Sequence, residues 1–176
     1  MSVWFRTYGF AEILDNLVIG AYPLDAEDVS MLDWMGVRRV LNLVEDEEYR
    51  PGDREAVAAA LAEKGIIEQR LHFTDFGRLP AEELEAAVQE VSRWLGDGLR
   101  TYLHCRAGQQ RSAAVAAGVV ALRQGVGTEE ALAYVQQRKP SADPLPHQRE
   151  DLASWWDARG AAPADPGDAG DLLRGA

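Results

Sequence analysis

Hydrophobic positions along the chain fall into two regimes. Short unbroken apolar runs alternate with longer stretches in which apolar residues recur every third or fourth position. The runs predict strands over 37–44, 66–73 and 99–104. An early strand or hairpin is also predicted, from the aromatic and β-branched residues at Trp4 to Tyr8, then Ile13-Leu14, the polar Asp15-Asn16 and Leu17-Val18-Ile19. The longer stretches predict helices. Asp25 is placed to cap one, with Glu27 and Asp28 favoured by the dipole in its first turn, Val29, Leu32 and Met35 on its apolar face and Gly36 as its stop. Asp53 to Lys64 is Ala-rich and closes at Gly65. Pro80 suits a first helical position, and Leu84, Ala87, Val88, Val91 and Leu95 then share one face. Helices follow over 111–124, 128–138 and 146–159, and Gly96-Asp97-Gly98 reads as a turn. Strands alternating with helices predict an α/β fold with a mainly parallel central sheet flanked by helices.

Composition narrows the partners. The 176 residues are 47% apolar and 27% charged, enough to build a core. Eighteen Lys and Arg against 29 Asp and Glu give a net charge of −11, which disfavours nucleic acid and anionic bilayers as partners. An anionic substrate must then be captured locally. The first ten residues lack a basic segment leading into an apolar one, and the longest apolar run, Ala113 to Leu122, is too short to span a bilayer, so stable membrane insertion is not expected and a cytoplasmic protein is. From Gly160 the chain turns to Ala, Pro, Gly and Asp, the composition of a disordered acidic tail. His72, His104 and His147 stand singly, so neither a metal nor another cofactor is expected. A single cysteine, Cys105, excludes an internal disulfide and leaves a buried apolar thiol or a reactive one.

The stretch HCRAGQQRS, residues 104–112, decides between them. It sits where a strand is predicted to end and a helix to begin. A tight loop at a helix N-terminus gathers backbone N–H groups and the positive end of the dipole into an anion site. His104, Arg106, Ala107, Gly108, Gln109, Gln110 and Arg111 are the candidate binding residues, with Gly108 allowing the tight turn and Arg111 offering a planar fork to two oxygens. The same positive field favours a thiolate at Cys105.

His104, Cys105, Gly108, Arg111 and Ser112 match the His-Cys-five residues-Arg-Ser/Thr signature, so the chain resembles the cysteine-based protein tyrosine phosphatases, and in size the dual-specificity subfamily. The resemblance extends loosely over about residues 13–157, which makes 1–160 a phosphatase domain and 161–176 the tail. It implies in-line attack by Cys105 on phosphorus, a phosphocysteine intermediate and hydrolysis of that intermediate. It further implies that Ser112 bonds the sulfur, that His104 orients the loop through backbone hydrogen bonds, and that an upstream Asp supplies the leaving group's proton.

Asp75 is the first candidate for that acid, 30 residues before Cys105. The predicted strand 66–73, helix 80–95 and strand 99–104 form a βαβ unit whose crossover brings Asp75 and Cys105 to the same edge of the sheet. A carboxylic acid there can protonate the leaving oxygen and then activate water. An ordinary turn or capping Asp is the plainer reading. The acidic run Glu45, Asp46, Glu47, Glu48 follows strand 37–44 and competes, either as a solvated loop or bordering the pocket, whereas Asp97 lies at the opposite edge. Arg78 is placed to steer phosphate or to stand solvated, and Trp155 and Trp156 read as packing. The expected activity is hydrolysis of phosphate monoesters on protein tyrosine and serine or threonine. Glu47-Glu48-Tyr49 also resembles a loop of phosphatidylglycerophosphate phosphatases, leaving a lipid or other small phosphomonoester as an alternative substrate. An inactive phosphate-binding module is the alternative outside enzymes.

Overall fold

Strands β1 (Phe10–Leu14), β2 (Leu17–Gly20), β3 (Arg39–Asn42), β4 (Ile67–Arg70) and β5 (Thr101–His104) form one sheet in the order β1-β2-β5-β3-β4. The computed structural model describes residues 1–161, so the tail expected from 161 onward lies, but for its first residue, outside the described residues. β1 pairs antiparallel with β2 through a tight turn in which Asn16 takes a positive φ of 68°; every other pairing is parallel. The expected mainly parallel sheet is present.

Helices cover both faces, which is why the inner strands read as apolar runs and not as alternating patterns. Successive side chains still point to opposite faces. Leu17, Ile19, Leu41 and Leu103 pack with α4 (Ala81–Gly96), α5 (Arg111–Gln124), α6 (Thr128–Arg138) and α7 (Pro146–Ala161), whereas Val18, Val40 and Tyr102 join α2 (Ala26–Trp34) and α3 (Asp53–Glu63). α5 runs through the first layer with every residue from Arg111 to Ala121 buried. At Gly118 a Cβ would meet Val88 Cγ2 at 2.7 Å, so only glycine lets α4 approach this closely.

One expected strand is a helix. Residues Val3–Tyr8 form α1 because Ser2 caps them, its Oγ accepting from Phe5 N at 3.1 Å. The buried Asp28 carboxylate fastens Ser2 in turn, accepting from Ser2 N at 2.7 Å and Ser2 Oγ at 2.6 Å. Strand-like composition gives way to a capped helix because Phe5 has a core to enter. The strand expected over 66–73 is shorter, ending at Arg70, although Leu71 N and Phe73 N still donate to the Asn42 and Leu43 carbonyls and Phe73 is buried. Among the described residues no helix is long and apolar enough to cross a membrane.

β2, β3, β4 and β5 all deliver their C-terminal ends to one edge. The segments after β3, β4 and β5 therefore meet there, as open α/β sheets arrange their sites.

Candidate functional site

Residues 105–110 link β5 to α5 as a cradle whose carbonyls are tied outward. The Arg106 carbonyl accepts from Tyr22 N and from Trp4 Nε1, both at 3.1 Å, and the Gln109 carbonyl accepts from Asp143 N at 2.7 Å. With the carbonyls turned out, amides face in. Gly108 has φ +71°, and a Cβ there would lie 2.5 Å from the Gly20 carbonyl carbon, so the loop is wedged against the end of β2.

Cys105 lies at the cradle's base, its Sγ 3.3 Å from Ser112 Oγ. Burial pushes the thiol's pKa up, but the Arg111 guanidinium, the Ser112 hydroxyl and the backbone N–H groups of Ser112 and Gly108 together outweigh it and hold the pKa below the ordinary value. The sulfur is buried but not sealed, since it lines a cavity of about 240 Å³ together with Trp4, Tyr8, Asp75, Phe76 and Arg111. Arg106, Ala107, Gln109 and Gln110 line the same cavity. Gly108 and His104 are buried around it; the His104 Nδ1 donates to the Cys105 carbonyl at 3.2 Å, and burial drives that imidazole's pKa down to about 3, keeping it neutral.

Arg111 is buried and held by Glu48, Phe73 and Asp75. Its Nη1 donates to Glu48 Oε1 at 2.6 Å and to the Phe73 carbonyl at 2.8 Å, and its Nη2 donates to Glu48 Oε2 at 2.8 Å and lies 2.9 Å from Asp75 Oδ1. Burial works against the Glu48 charge, yet the bonds from Arg111 and from Glu45 N prevail and hold that carboxyl below the usual range. Of the acidic run, then, Glu48 turns inward, Asp46 pairs with Arg70 at 2.7 Å, and Glu45 accepts from Thr74 Oγ1 at 3.0 Å. The run is more than a solvated loop.

Asp75 sits in the segment 74–77, between β4 and α4. His147 Nε2 bonds the Phe76 carbonyl at 3.0 Å and Gln148 Nε2 donates to the Gly77 carbonyl at 3.0 Å, so α7 anchors this loop. Arg78 does not line the cavity; it stands largely exposed, as one reading of it expects, with its Nε donating to Asp151 Oδ1 at 2.9 Å and joining the loop's exit to α7. Trp155 packs in the core and donates to Glu85 at 2.7 Å, and Trp156 packs against its margin.

The structure brings Cys105, Arg111, Ser112 and Asp75 together, and sets Asp46 apart. Glu48 is foreseen only as a competing acid or a border of the pocket, and its hold on Arg111 is not; the signal for it is that a buried guanidinium demands a carboxylate. Two further residues escaped the sequence reading, Trp4 and Lys139. Trp4 is hidden by the strand assignment. Lys139 is buried, with Nζ donating to the Tyr8 carbonyl at 3.0 Å and to Ser141 Oγ at 3.1 Å, and near enough to Cys105 to feel its charge. Among the described residues, no group of three His, Cys, Asp or Glu side chains is placed to hold a metal ion.

No family model matches the sequence, and no curated protein does. Solved structures do match the fold. Tk-PTP in its active form aligns with a TM-score of 0.75 at 20% identity, over 84% of this chain and 96% of that one. PTPMT1 in complex with PI(5)P aligns at 0.74 and 25% identity, over 86% and 99%. Human DUSP28 aligns at 0.66 and 21% identity, over 86% and 95%.

Proposed function

We propose that this chain, which has the fold of the cysteine-based tyrosine phosphatases of dual-specificity type, is a metal-independent phosphate monoester hydrolase working through a phosphocysteine. The observation that carries the reading is the placement of one thiol, its pKa held down, and one clamped guanidinium around a single amide-lined cradle. A phosphate dianion there meets backbone N–H groups, the α5 dipole and Arg111.

The Cys105 thiolate attacks phosphorus in line, forming the S–P bond as the ester P–O bond breaks. Asp75 gives its proton to the departing oxygen. Its carboxylate then takes a proton from water, the water oxygen bonds phosphorus, and the S–P bond breaks with the Ser112 hydroxyl donating to the leaving sulfur. Inorganic phosphate departs. His104 stays neutral and holds the loop by its bond to the Cys105 carbonyl.

A dual-specificity protein phosphatase is the substrate class that the fold and the signature support best. A phosphatidylglycerophosphate or other small-molecule phosphatase is the second reading, favoured by the likeness to PTPMT1 bound to PI(5)P and by Glu47-Glu48-Tyr49. An inactive phosphate-binding module is disfavoured by the intact Cys105, Asp75, Arg111 and Ser112.

Cys105→Ser tests the chemistry. It abolishes turnover of p-nitrophenyl phosphate and keeps phosphate binding; retained turnover overturns the nucleophile. A panel of phosphotyrosine peptide, phosphothreonine peptide and phosphatidylglycerophosphate, with EDTA present throughout, ranks the substrate classes by kcat/KM. Uniform inactivity of the native chain turns the reading to the binding module.

A further inference from the structure

The turn that carries Asp75 does not hold itself. Gly77 N donates to the Thr74 carbonyl at 2.9 Å, closing a four-residue turn whose third member, Phe76, has a positive φ of 57°. That position favours glycine or asparagine, and a phenylalanine there strains the backbone. Its side chain, 65% exposed, offsets little of that by burial. The bonds that fix the turn come from α7, whose first residues face it: His147 Nε2 lies 3.0 Å from the Phe76 carbonyl and 3.1 Å from the Gly77 carbonyl, and Gln148 Nε2 donates to the second at 3.0 Å. A carbonyl only accepts, so His147 Nε2 carries the proton. Gln148 is wholly buried and its Oε1 accepts from Leu145 N at 3.1 Å, so both ends of its amide are used. One helical turn further on, Asp151 accepts from Leu79 N at 2.8 Å.

We infer that His147 and Gln148 are positioning residues for the proton transfer: by bonding the two carbonyls that follow Asp75 they set its carboxyl over the cradle, and they take no part in capturing phosphate. The inference rests on the phosphatase reading and adds residues outside the cavity that control one step of it. Neither side chain lines the cavity, and the bond from this stretch to the cradle is made instead by Asp143 N, to the Gln109 carbonyl. Asp75 Oδ1 stands 2.9 Å from Arg111 Nη2, so a slip of the turn takes the acid off the ester oxygen while the thiol and guanidinium stay in place. Thr74 Oγ1, donating to Glu45 at 3.0 Å on the other flank, limits that slip. An ester whose leaving group departs as a stable anion has little need of the proton, whereas an ester of a more basic alcohol depends on it. Loss of the clamp therefore separates esters by leaving group, and a general loss of folded protein slows them alike.

The experiment measures kcat/KM on phenyl phosphate and p-nitrophenyl phosphate, each variant as a ratio to native. His147→Phe breaks the bonds to the two carbonyls, and that side chain bonds nothing else among the described residues. It lowers kcat/KM for phenyl phosphate about tenfold and leaves p-nitrophenyl phosphate and inhibition by inorganic phosphate within about threefold. His147→Gln, whose amide nitrogen can reach the same carbonyls, restores most of the loss. Gln148→Met gives the same separation over any loss common to both esters. In an Asp75→Asn background His147→Phe has no further effect on phenyl phosphate, because the group it positions no longer carries an acid proton. Equal losses on both esters, no loss, or an undiminished loss in Asp75→Asn overturn the assignment. If the native protein hydrolyses neither ester, the phosphatase reading falls by itself, and hydrogen exchange then tests the clamp. Faster exchange over 74–79 in His147→Phe, with 104–112 unchanged, supports it; unchanged exchange over 74–79 overturns it.

Discussion

Glu48 accepts a hydrogen bond from each terminal nitrogen of Arg111, at 2.6 and 2.8 Å, across 63 residues of sequence. The pair sets the plane of the guanidinium before any oxyanion arrives, and the Glu45 amide, donating to Glu48 Oε1 at 3.0 Å, sets the carboxylate in turn.

Breaking that pair leaves a buried cation with Asp75 alone as its carboxylate partner. Glu48→Ala is expected to cost about 3–5 kcal/mol in urea unfolding and to lower kcat/KM about 10²-fold through misplacement of Arg111. Glu48→Asp restores most of the stability and little of the rate, because the shorter carboxylate cannot meet both nitrogens. Native-like kinetics in Glu48→Ala would remove Glu48 from the site.

Asp75 occupies one flank of the same guanidinium, its Oδ1 2.9 Å from Nη2. Asp75→Asn is expected to slow hydrolysis of esters with poor leaving groups by about 10²–10⁴ and to flatten one limb of the pH–rate profile. It also binds inorganic phosphate more tightly, since a negative charge beside the incoming dianion is gone. Asp46→Asn changes neither, its carboxylate being committed to Arg70 on the exposed side. The opposite pattern would make Asp46 the acid.

Cys105 is deprotonated at lower pH than an ordinary thiol. Alkylation by iodoacetamide, followed against pH, accordingly has its midpoint below that of a free cysteine. Ser112→Ala removes one hydrogen bond to the sulfur while burial continues to push the other way, so the midpoint moves up. A midpoint at or above the ordinary value in the native protein contradicts the electrostatic account of the cradle.

His104 contributes acid sensitivity to the fold. Its folded pKa of about 3 lies below the ordinary 6.5, so between these values the unfolded chain binds a proton that the folded chain refuses. Stability from this group is full above pH 6.5 and declines as pH falls toward 3. His104→Asn, whose amide can keep the bond to the Cys105 carbonyl, flattens that slope in urea midpoints measured from pH 7 to 4. An unchanged slope assigns the acid sensitivity to other groups.

Much of the site was legible because it is contiguous. Residues 104–112 carry the thiol, the turn glycine, the guanidinium and the hydroxyl in one stretch, and the helix expected over 111–124 is the helix observed. Asp75 was reachable by topology alone, through the crossover that α4 makes between β4 and β5. Glu48 was not. Its meeting with Arg111 depends on β3 lying beside β5 in the sheet, a neighbour relation that hydrophobic periodicity does not encode. Trp4 was hidden for a different reason: aromatic composition argued for a strand, and the deciding contact was Ser2 with Asp28, far along the chain. Arg78 met Asp151 in the same unforeseeable way.

With one sulfhydryl in the entire chain, and that one at the floor of the cradle, a thiol label addresses the cradle and no other position. Because the folded thiol ionises at lower pH than an ordinary one, labelling at mildly acidic pH in excess of that of the urea-unfolded chain reports the assembled cradle. A fluorophore attached there needs no background cysteines removed.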